Sequence, residues 1–470
     1  MSDICILYAR KDARKQASRL DASLRARWKV WWDHRIDNGD YRRAIKSEIP
    51  TAGCIVPIWS VAAEDSAVLH DELQIATQHN VPIIPIRIHE VPAPLGHGSL
   101  QATDAIGWNG DDLTPEVREH LDRIDRTLQA RRGATERPAG LGFANATGLP
   151  AFFFSVSSHE TRLLPGAALD ALNLFGARSI LVSAYDMDKT RRTRGLLPVL
   201  RELRRKGVKI LLDSGNYEMA RRSDKEWTLS KYHRTLSETP HDMAFCYDNL
   251  DPPKRLMPAL KDIIQTVERD MRRSHSTILP IVHLPQSGGE YDVAIAPELV
   301  KRVAKEFRPP LVAIPERELG PGIIERVKTM RSIRNALREL YFYQPIHILG
   351  TGNPVSIALL CAAGADSFDG LEWCRYVLDG KTHTLHHFQH YDLYKWQDQY
   401  AVSPVTRAAI LDDNVRYSGR AVFHNLDIYA SWLNKLRAAM LDDKRLVEML
   451  TKLLSEEAME LTREALPGVL

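Results

Sequence analysis

The chain has 470 residues, a length that usually corresponds to two or three domains. With 44% hydrophobic and 26% charged residues, its composition is that of a folded globular protein and excludes wholesale disorder and collagen-like structure. The formal net charge of +3 is too small to indicate nucleic-acid binding by itself. The five cysteines form no C-x-x-C pair, which argues against a disulfide framework and against a cysteine-based zinc site.

The N-terminal residues lack a basic segment followed by a long apolar run. No apolar stretch of the chain reaches the roughly 18 residues that a membrane span needs. We therefore expect no signal peptide and no membrane span, and we expect a cytoplasmic protein.

Strand and helix signals alternate along the first part of the chain. In chain order, the predicted elements are a strand at Asp3–Ala9, a helix at Asp12–Arg27, strands at Lys29–Asp33, Cys54–Trp59 and Val81–Ile88, and a helix that opens at Thr114–Pro115. This alternation predicts an α/β fold in which helices cover both faces of a parallel sheet. A segment rich in Gly, Ala, Thr and Pro at residues 133–148 then indicates a linker.

The second part of the chain contains eight further strand signals, most of them separated by amphipathic helical stretches. The predicted strands are Phe152–Val156, Ser179–Ala184, Lys209–Leu212, Met243–Tyr247, Thr277–Val282, Leu311–Ile314, Ile346–Leu349 and Ser367–Leu371. Eight such units predict a closed (β/α)8 TIM barrel. The predicted domains are therefore residues 1–132, the linker 133–148, a barrel at 149–410 and a C-terminal helical segment at 411–470.

The residues that follow the eight predicted strands are polar, apart from one glycine. They are Ser157, Asp186, Asp213, Asp248, His283, Glu316, Gly350 and Asp369. Because the chemistry of such barrels lies at the carboxyl ends of the strands, these residues predict a catalytic or binding pocket. The alternative is that they are ordinary polar loop residues.

Six segments of the first part follow one another in the order of a known family. They are Ile4–Asp12 (ICILYARKD), Val30–Asp33 (VWWD), Asn38–Asp40 (NGD), Ala52–Ser60 (AGCIVPIWS), Ser66–Glu72 (SAVLHDE) and Val81–Ile86 (VPIIPI). Together they resemble a TIR domain, which covers about residues 1–130 and implies a flavodoxin-like fold. Some bacterial and plant TIR domains cleave NAD+ at the nicotinamide–ribose bond, and others are scaffolds. The resemblance therefore implies NAD+ as a substrate.

The catalytic glutamate of that family lies in an S-x-W-x-x-x-E stretch, and the resemblance places it at Glu72. A carboxylate suits this reaction because breaking the N-glycosidic bond develops positive charge on the ribose. The alternative is that Glu72 is one more exposed glutamate on a helix. Two residues depart from the family pattern, since Val68 replaces the usual tryptophan and Leu7 replaces the serine of many members.

The resemblance also implies nucleotide contacts and assembly. By position, the contacts fall on Ala9, Arg10, Trp32, Arg35 and Ser66. Trp31 and Trp32 alternate along a strand, so we expect one in the core and the other near the pocket. TIR enzymes are commonly activated by assembly, and the loop Ile36–Tyr41 would then complete the site of a neighbouring protomer; a plain surface turn is the alternative. A homo-oligomer is therefore an expected partner.

Three segments of the second part carry another resemblance. They are Leu211–Tyr217 (LLDSGNY), Met243–Pro253 (MAFCYDNLDPP), and Leu349–Pro354 (LGTGNP) followed by Gly364–Asp369 (GADSFD). They are similar to the motifs of tRNA-guanine transglycosylases over about residues 150–400. Those enzymes exchange a base through a covalent intermediate on an aspartate. The resemblance implies that Asp369 is the nucleophile, that Asp213 acts in acid–base steps, and that Asp248 recognises the guanine edge.

Other positions of the same motifs imply substrate contacts or depart from the family. Gly350 and Gly352 belong to the implied substrate-binding segment, and His283 stands where the family has a glutamine. Ile314-Pro315 replaces a glycine pair. The zinc site of the family needs C-x-C-x-x-C and a later histidine, whereas this chain has Cys374 followed by His383, His386, His387 and His390. We therefore expect a divergent barrel without a metal ion.

A basic cluster runs from Lys189 to Lys209, with nine lysines and arginines against the single acid Glu202. It indicates either contact with phosphates or a solvated helix surface.

Three hypotheses follow. In the first, the protein is a prokaryotic antiviral effector whose barrel senses a nucleobase, nucleotide or nucleic-acid signal and promotes NAD+ hydrolysis by the TIR domain. In the second, the barrel exchanges a base in nucleic acid and the TIR domain is a guard or scaffold. In the third, the protein is a non-enzymatic adaptor.

Overall fold

The computed structural model describes residues 2–25, 28–32, 48–94, 96–133, 137–138, 140–141, 148–159, 161, 163–188, 195–340 and 342–469. The predicted loop Ile36–Tyr41 lies outside these residues, as does most of the predicted linker 133–148. The chain divides into two compact units, which are Met1–Arg137 with Leu340–Tyr343, and Pro138–Glu339 with Gln344–Leu470.

The first unit contains a parallel five-stranded sheet in the order β2-β1-β3-β4-β5. Its strands are β1 (Ile4–Leu7), β2 (Val30–Trp31), β3 (Cys54–Trp59), β4 (Ile86–Arg87) and β5 (Thr103–Asp104). Its described helices are Arg14–Leu24, Val61–Glu64, Ala67–Gln78 and Pro115–Gly133, and a 3₁₀ turn covers Ile49–Thr51.

Two hydrophobic cores form in this unit because side chains alternate along β1. Ile4 and Ile6 pack into the core that contains Leu20 and Val117 of two helices. Their neighbours Cys5 and Leu7 pack into the other core, which contains Leu69 and Leu73 of the helix Ala67–Gln78. The prediction of a parallel sheet with helices on both faces is confirmed.

The edge of this sheet differs from the prediction. The strand predicted at Val81–Ile88 is reduced to Ile86–Arg87, and the short β5 was not predicted. Pro82 and Pro85 explain the shortening, because proline has no N–H group to donate to a neighbouring strand.

The second unit is a nearly closed barrel of eight parallel strands in the order β10-β9-β8-β7-β6-β15-β14-β13. The strands are β6 (Ala151–Val156), β7 (Ser179–Ser183), β8 (Lys209–Asp213), β9 (Met243–Phe245), β10 (Thr277–Leu279), β13 (Val312–Pro315), β14 (Ile346–Leu349) and β15 (Ser367–Gly370). A parallel bridge between Ile281 and Ala313 joins the two end strands. The predicted (β/α)8 architecture is confirmed.

Side chains from the strands fill the barrel interior, among them Phe153, Leu211 and Phe245. The helices of this unit are Pro165–Phe175, Ala184–Met187, Leu196–Arg205, Asn216–Arg222, Leu229–Glu238, Leu256–Met271, Ala296–Phe307, Ile323–Leu337, Pro354–Ala363, Glu372–Arg375, Tyr391–Tyr394, Pro404–Leu411, Tyr417–Ala439, Asp443–Leu453 and Glu456–Ala465. Two hairpins are added, β11 (Gln286–Ser287) with β12 (Glu290–Tyr291) and β16 (Tyr376–Leu378) with β17 (Leu385–His387). Further 3₁₀ turns lie at Val293–Ile295, Glu316–Leu319, Phe388–His390 and Lys395–Tyr400.

Among the described helices of both units, none combines the length and the apolar character that crossing a lipid bilayer requires.

Candidate functional site

Glu72 lies in the helix Ala67–Gln78 of the first unit. Ser66 caps this helix, because its Oγ accepts a hydrogen bond from Leu69 N at 3.3 Å. Leu69 and Leu73 hold the helix against the sheet. Glu72 is 5% exposed, so the alternative of an exposed helix glutamate is wrong. Burying a carboxylate costs folding free energy, and costly buried ionisable groups cluster at functional sites.

The charge of Glu72 acts on the face of the sheet that carries Cys5. The pKa of Cys5 is raised to about 12, mainly by burial and further by the negative charges of Glu48 and Glu72. Cys5 is therefore a protonated thiol and not a nucleophile at neutral pH.

The predicted nucleotide contacts lie at different places in the first unit. Ala9 follows β1, and its carbonyl oxygen accepts a hydrogen bond from Ala13 N at 3.1 Å, while Arg10 beside it is exposed. Trp32 is 6% exposed and packs in the core of Ile4 and Ile6, on the sheet face opposite the helix of Glu72.

Trp32 is therefore the tryptophan of the pair that lies in the core, and its assignment as a nucleotide contact stays a prediction. Because strand side chains alternate, it is Trp31 that packs against the core containing the helix of Glu72. The predicted contact Arg35 lies outside the described residues.

In the second unit, a cavity of about 320 Å³ opens at the carboxyl ends of the barrel strands. Seven of the eight predicted strand-end residues line it, namely Ser157, Asp213, Asp248, His283, Glu316, Gly350 and Asp369. Asp186 does not belong to the lining, and its carboxylate accepts hydrogen bonds from the backbone N–H and the hydroxyl of Ser158. The structure therefore brings the three aspartates singled out by sequence into one cavity.

Asp369, the residue before the last of β15, is held in a fixed orientation. Its Oδ2 accepts a hydrogen bond from Ser155 Oγ at 2.7 Å, and its Oδ1 accepts one from Gly350 N at 2.9 Å. His347 Nε2 lies 3.2 Å from the same Oδ1. Gly350 has a φ of +77°, a conformation that favours glycine and that turns its N–H toward the carboxylate.

Asp213 ends β8 and is suited to carry a proton. Its pKa is raised well above the ordinary value, first by burial and then by the negative charges of Glu218 and Asp248. One oxygen, Oδ2, accepts a hydrogen bond from Gly215 N at 3.0 Å. A raised pKa favours the protonated form of the carboxyl group, which can donate a proton and so suits the predicted acid–base role.

Gly215 shapes the turn that presents Asp213. Its φ is +78°, and an added Cβ would lie 2.6 Å from Tyr185 N. We expect Gly215→Ala to lower the free energy of unfolding by about 2–6 kcal/mol, because the cost of the strained backbone and the cost of the collision add.

Gly207→Ala is the matched control, measured in the same urea titration. Gly207 has a φ of +86°, but none of the described atoms lies within 4 Å of the added Cβ. This variant should show only the cost of the left-handed conformation. Equal losses in the two variants would contradict the close approach at Gly215.

One wall of the cavity carries a row of hydrogen-bonded side chains. The row consists of Asp248, His283 and, behind the lining, Glu318. His283 Nε2 lies 2.8 Å from Asp248 Oδ2, and its Nδ1 lies 2.8 Å from Glu318 Oε1. Both ring nitrogens therefore donate, which makes His283 an imidazolium. Burial by itself lowers the pKa of His283, but the hydrogen bonds and charges of the two carboxylates outweigh it and raise the pKa to about 10.

The same row holds Asp248 ionised. Burial by itself raises its pKa, but the hydrogen bond and charge of His283, with a hydrogen bond from Ser214 Oγ at 2.6 Å, bring the pKa below the ordinary value. Asn216 Nδ2 also donates to Oδ1 of Asp248, at 3.1 Å. Both carboxylate oxygens thus already accept hydrogen bonds from the protein.

This row predicts a pH dependence of stability. Because the folded pKa of His283 lies above its ordinary value of 6.5, its stabilisation is complete below pH 6.5 and is lost as the pH rises to about 10. Relative to His283→Gln, the wild type should lose up to about 1.4 kcal/mol of unfolding free energy per pH unit in this range. Chemical denaturation of both proteins across the range measures the difference, and parallel curves would contradict a charged His283.

Sequence reasoning missed three glutamates of this region, Glu218, Glu318 and Glu372. Glu218 and Glu372 line the cavity, whereas Glu318 lies outside the lining and accepts a hydrogen bond from Nδ1 of His283. Their positions carry a weak signal, since each lies within five residues after a strand end. Burial gives them their importance, and burial arises only when the strands assemble.

The described part of the basic cluster does not line the cavity. Arg204 and Lys209 lie within 4 Å of Asp242, and Lys206 pairs with Glu202 at 2.8 Å. Lys209 begins β8, so this part lies at the opposite end of the barrel from the cavity. The solvated surface is therefore the better interpretation of these residues, while residues 189–194 lie outside the described chain.

The residues after Asp369 do not fit the zinc site of the transglycosylases. Cys374 donates from Sγ to Leu371 O at 3.3 Å, and burial raises its pKa to about 12. The other two cysteines of the C-x-C-x-x-C motif are missing around it. Within the described ranges, no group of three or more His, Cys, Asp or Glu is arranged to hold a metal ion.

Comparison with known proteins agrees with both units. Residues 4–121 match the family described as TIR domain. The tRNA-guanine(15) transglycosylase of Archaeoglobus fulgidus is 22% identical over 234 residues, 47% of this chain and 46% of that protein. The tRNA-guanine(15) transglycosylase of Haloferax volcanii is 24% identical over 284 residues, 58% of this chain and 52% of that protein.

The chain thus spans about half the length of these two relatives. Residues 4–121 form a TIR domain, and the C-terminal region, a nearly closed parallel barrel, resembles tRNA-guanine transglycosylase.

Proposed function

We propose that this protein is an NAD+ glycohydrolase whose TIR domain is controlled by ligand binding in the barrel. The observation that carries the proposal is Glu72, a carboxylate that is 5% exposed within a matched TIR domain. Its position corresponds to the catalytic glutamate that the family resemblance implies.

The chemistry requires one well-placed negative charge. Cleavage of the nicotinamide–ribose bond gives the ribose the character of an oxocarbenium ion, which a carboxylate stabilises or captures. Nicotinamide leaves as a neutral base because its ring nitrogen is positively charged in NAD+. Glu72 therefore needs no partner acid for the leaving group.

The barrel contributes recognition in this proposal. Its cavity holds an ionised Asp248, which accepts N–H groups of the kind found on the edge of guanine. We propose that a nucleobase, nucleotide or nucleic-acid signal of infection binds there and promotes assembly of TIR domains. NAD+ loss would then stop growth of the infected cell, the logic of an antiviral effector in the cytoplasm.

The test is NAD+ consumption by the purified protein with and without extract of phage-infected cells. The proposal expects consumption that depends on infected extract and that coincides with a rise in oligomer mass, measured by light scattering. Absence of NAD+ loss in every extract would contradict it.

A second candidate function is base exchange in nucleic acid by the barrel. The observation that favours it is the gathering of Asp213, Asp248 and Asp369 in one cavity, where burial raises the pKa of Asp213 and where Ser155 and Gly350 hold Asp369. In this candidate, Asp369 attacks the anomeric carbon, Asp213 gives a proton to the leaving guanine, and an incoming base completes the exchange. Incorporation of labelled guanine into RNA or DNA tests it.

A further inference from the structure

Glu372 is a cavity residue to which neither candidate function gives a role. It lies three residues after Asp369 and begins the short helix Glu372–Arg375 that follows β15. It lines the same cavity as Asp369 and Asp213. Two carboxylates are therefore held on one side of the cavity, and only Asp369 has been assigned.

Two glycines make the space that Glu372 occupies. A Cβ added to Gly352, after β14, or to Gly370, the last residue of β15, would overlap with Oε2 of Glu372. Neither position requires a left-handed backbone, so the requirement for glycine is one of space. The backbone thus fits closely around a carboxylate placed beside the nucleophile.

The carboxylate of Glu372 is only partly compensated by its surroundings, through backbone N–H groups that include that of Gly352 and through the positive charge of Arg375. Its Oε2 is buried and makes no hydrogen bond within the part of the chain that the structure describes. The pKa of Glu372 is raised to about 7, mainly by burial and additionally by the negative charge of Asp369. A carboxyl group with this pKa exchanges protons readily near neutral pH.

We propose that Glu372 is a general base that activates water against the covalent intermediate on Asp369, so that the barrel hydrolyses N-nucleosides and releases the base. The inference rests on the second candidate function, since it requires that Asp369 form the intermediate. With water as the acceptor, the product is a sugar that has lost its base, whereas base exchange gives a sugar that carries a new base. The substrate class is a guanine nucleoside unit, free or within single-stranded nucleic acid.

The proposed hydrolysis takes two steps. In the first, Asp369 forms a bond to C1′, the C1′–N bond breaks, and its electron pair leaves with the base, which takes the proton of Asp213. In the second, water forms a bond to C1′, the bond to Asp369 breaks, and Glu372 accepts the proton of water. The sum is nucleoside plus water giving free base and a C1′ hydroxyl, and solvent returns the proton from Glu372 to Asp213.

The experiment incubates the full-length protein with a guanine-containing single-stranded oligonucleotide, with one arm of RNA and one of DNA. Two products are measured in each arm, free guanine with the matching abasic site, and labelled guanine incorporated by exchange. Release should rise with pH through about 7, because Glu372 must be ionised to accept a proton.

Glu372→Gln is expected to lower release at least about 100-fold while exchange continues, because Asp369 and Asp213 are intact. The intermediate should accumulate, and intact-protein mass spectrometry detects it as an adduct. Gly352→Ala, which displaces the carboxylate without removing its charge, should also lower release. Glu306→Gln, an exposed glutamate on the helix Ala296–Phe307, is the matched control and should behave as the wild type.

A stability measurement checks the burial of Glu372 independently of activity. Because its folded pKa of about 7 lies above the ordinary 4.5, the wild type should lose stability relative to Glu372→Gln as the pH rises from 4.5 to about 7. The melting temperatures of the two proteins across this range give the difference. Parallel curves would contradict the buried carboxyl group on which the proposal depends.

The possible outcomes distinguish a failure of the role of Glu372 from a failure of the base-exchange candidate. Equal release by the wild type and Glu372→Gln, with loss in Asp369→Asn, would overturn the role of Glu372 alone. Exchange without release in the wild type would do the same. Neither exchange nor release in the wild type would contradict the base-exchange candidate itself, and hydrolysis with it.

Discussion

Glu72→Gln is expected to lower NAD+ consumption by the activated full-length protein at least about 100-fold. Glutamine has nearly the same shape as glutamate but lacks the negative charge that stabilises an oxocarbenium-like ribose. Because Glu72 is buried in a helix that packs on the sheet, the neutral side chain should be accommodated without unfolding. NAD+ and ADP-ribose are measured by chromatography after activation with infected-cell extract.

Asp71→Asn is the matched control for this substitution. Asp71 is the preceding residue of the same helix, carries the same charge and is exposed. The control should therefore consume NAD+ as the wild type does. Equal activity of Glu72→Gln and the wild type would exclude Glu72 from catalysis and would favour the adaptor hypothesis.

Asp369→Asn is expected to lower exchange of labelled guanine at least about 1,000-fold, because an amide oxygen is a poor nucleophile toward the anomeric carbon. The hydrogen bonds from Ser155 and Gly350 place the carboxylate. Incorporation of radiolabelled guanine into RNA and DNA is the measurement.

Asp251→Asn controls for the loss of an acid near the barrel mouth. Asp251 is exposed and lies three residues after Asp248 in the same motif, but it does not line the cavity. Its exchange rate should match that of the wild type. If Asp369→Asn exchanged guanine as fast as this control, the nucleophile would have to be another residue.

The strand pattern and the strand ends could be predicted from the sequence because they depend on local alternation and length. The residues Asp213, Asp248 and Asp369 each lie at or just after the carboxyl end of an apolar strand, and the barrel brings such positions together. The edge of the TIR sheet was predicted less well. Pro82 and Pro85 allow the residues to be extended but leave them without the N–H groups that a full strand needs.

The rest of the site depends on tertiary packing. The sequence places His283 at a strand end, but only the structure shows it between Asp248 and Glu318, which fixes its charge. Likewise, the importance of Glu372 comes from two glycines that are distant from each other in sequence. Short-range patterns carry no information about such contacts.

The row containing His283 also determines which hydrogen-bonding groups of the cavity are available to a base. In the related transglycosylases, the resemblance implies a glutamine at this position. Here both N–H groups of His283 are used by carboxylates, so His283 has none left to donate to a ligand. If a ligand binds in this cavity as we propose, recognition on this wall depends on the remaining lone pairs of Asp248, which favour the N–H groups of a ligand.

The measurement that tests the central claim most directly is NAD+ consumption in infected-cell extract by the wild type, Asp248→Asn and Glu72→Gln, side by side. Our account predicts rapid NAD+ loss in the wild type and none above background in either variant, because the barrel must bind its ligand and the TIR domain must then react. NAD+ loss by Asp248→Asn at the wild-type rate would contradict control of the TIR domain by the barrel cavity.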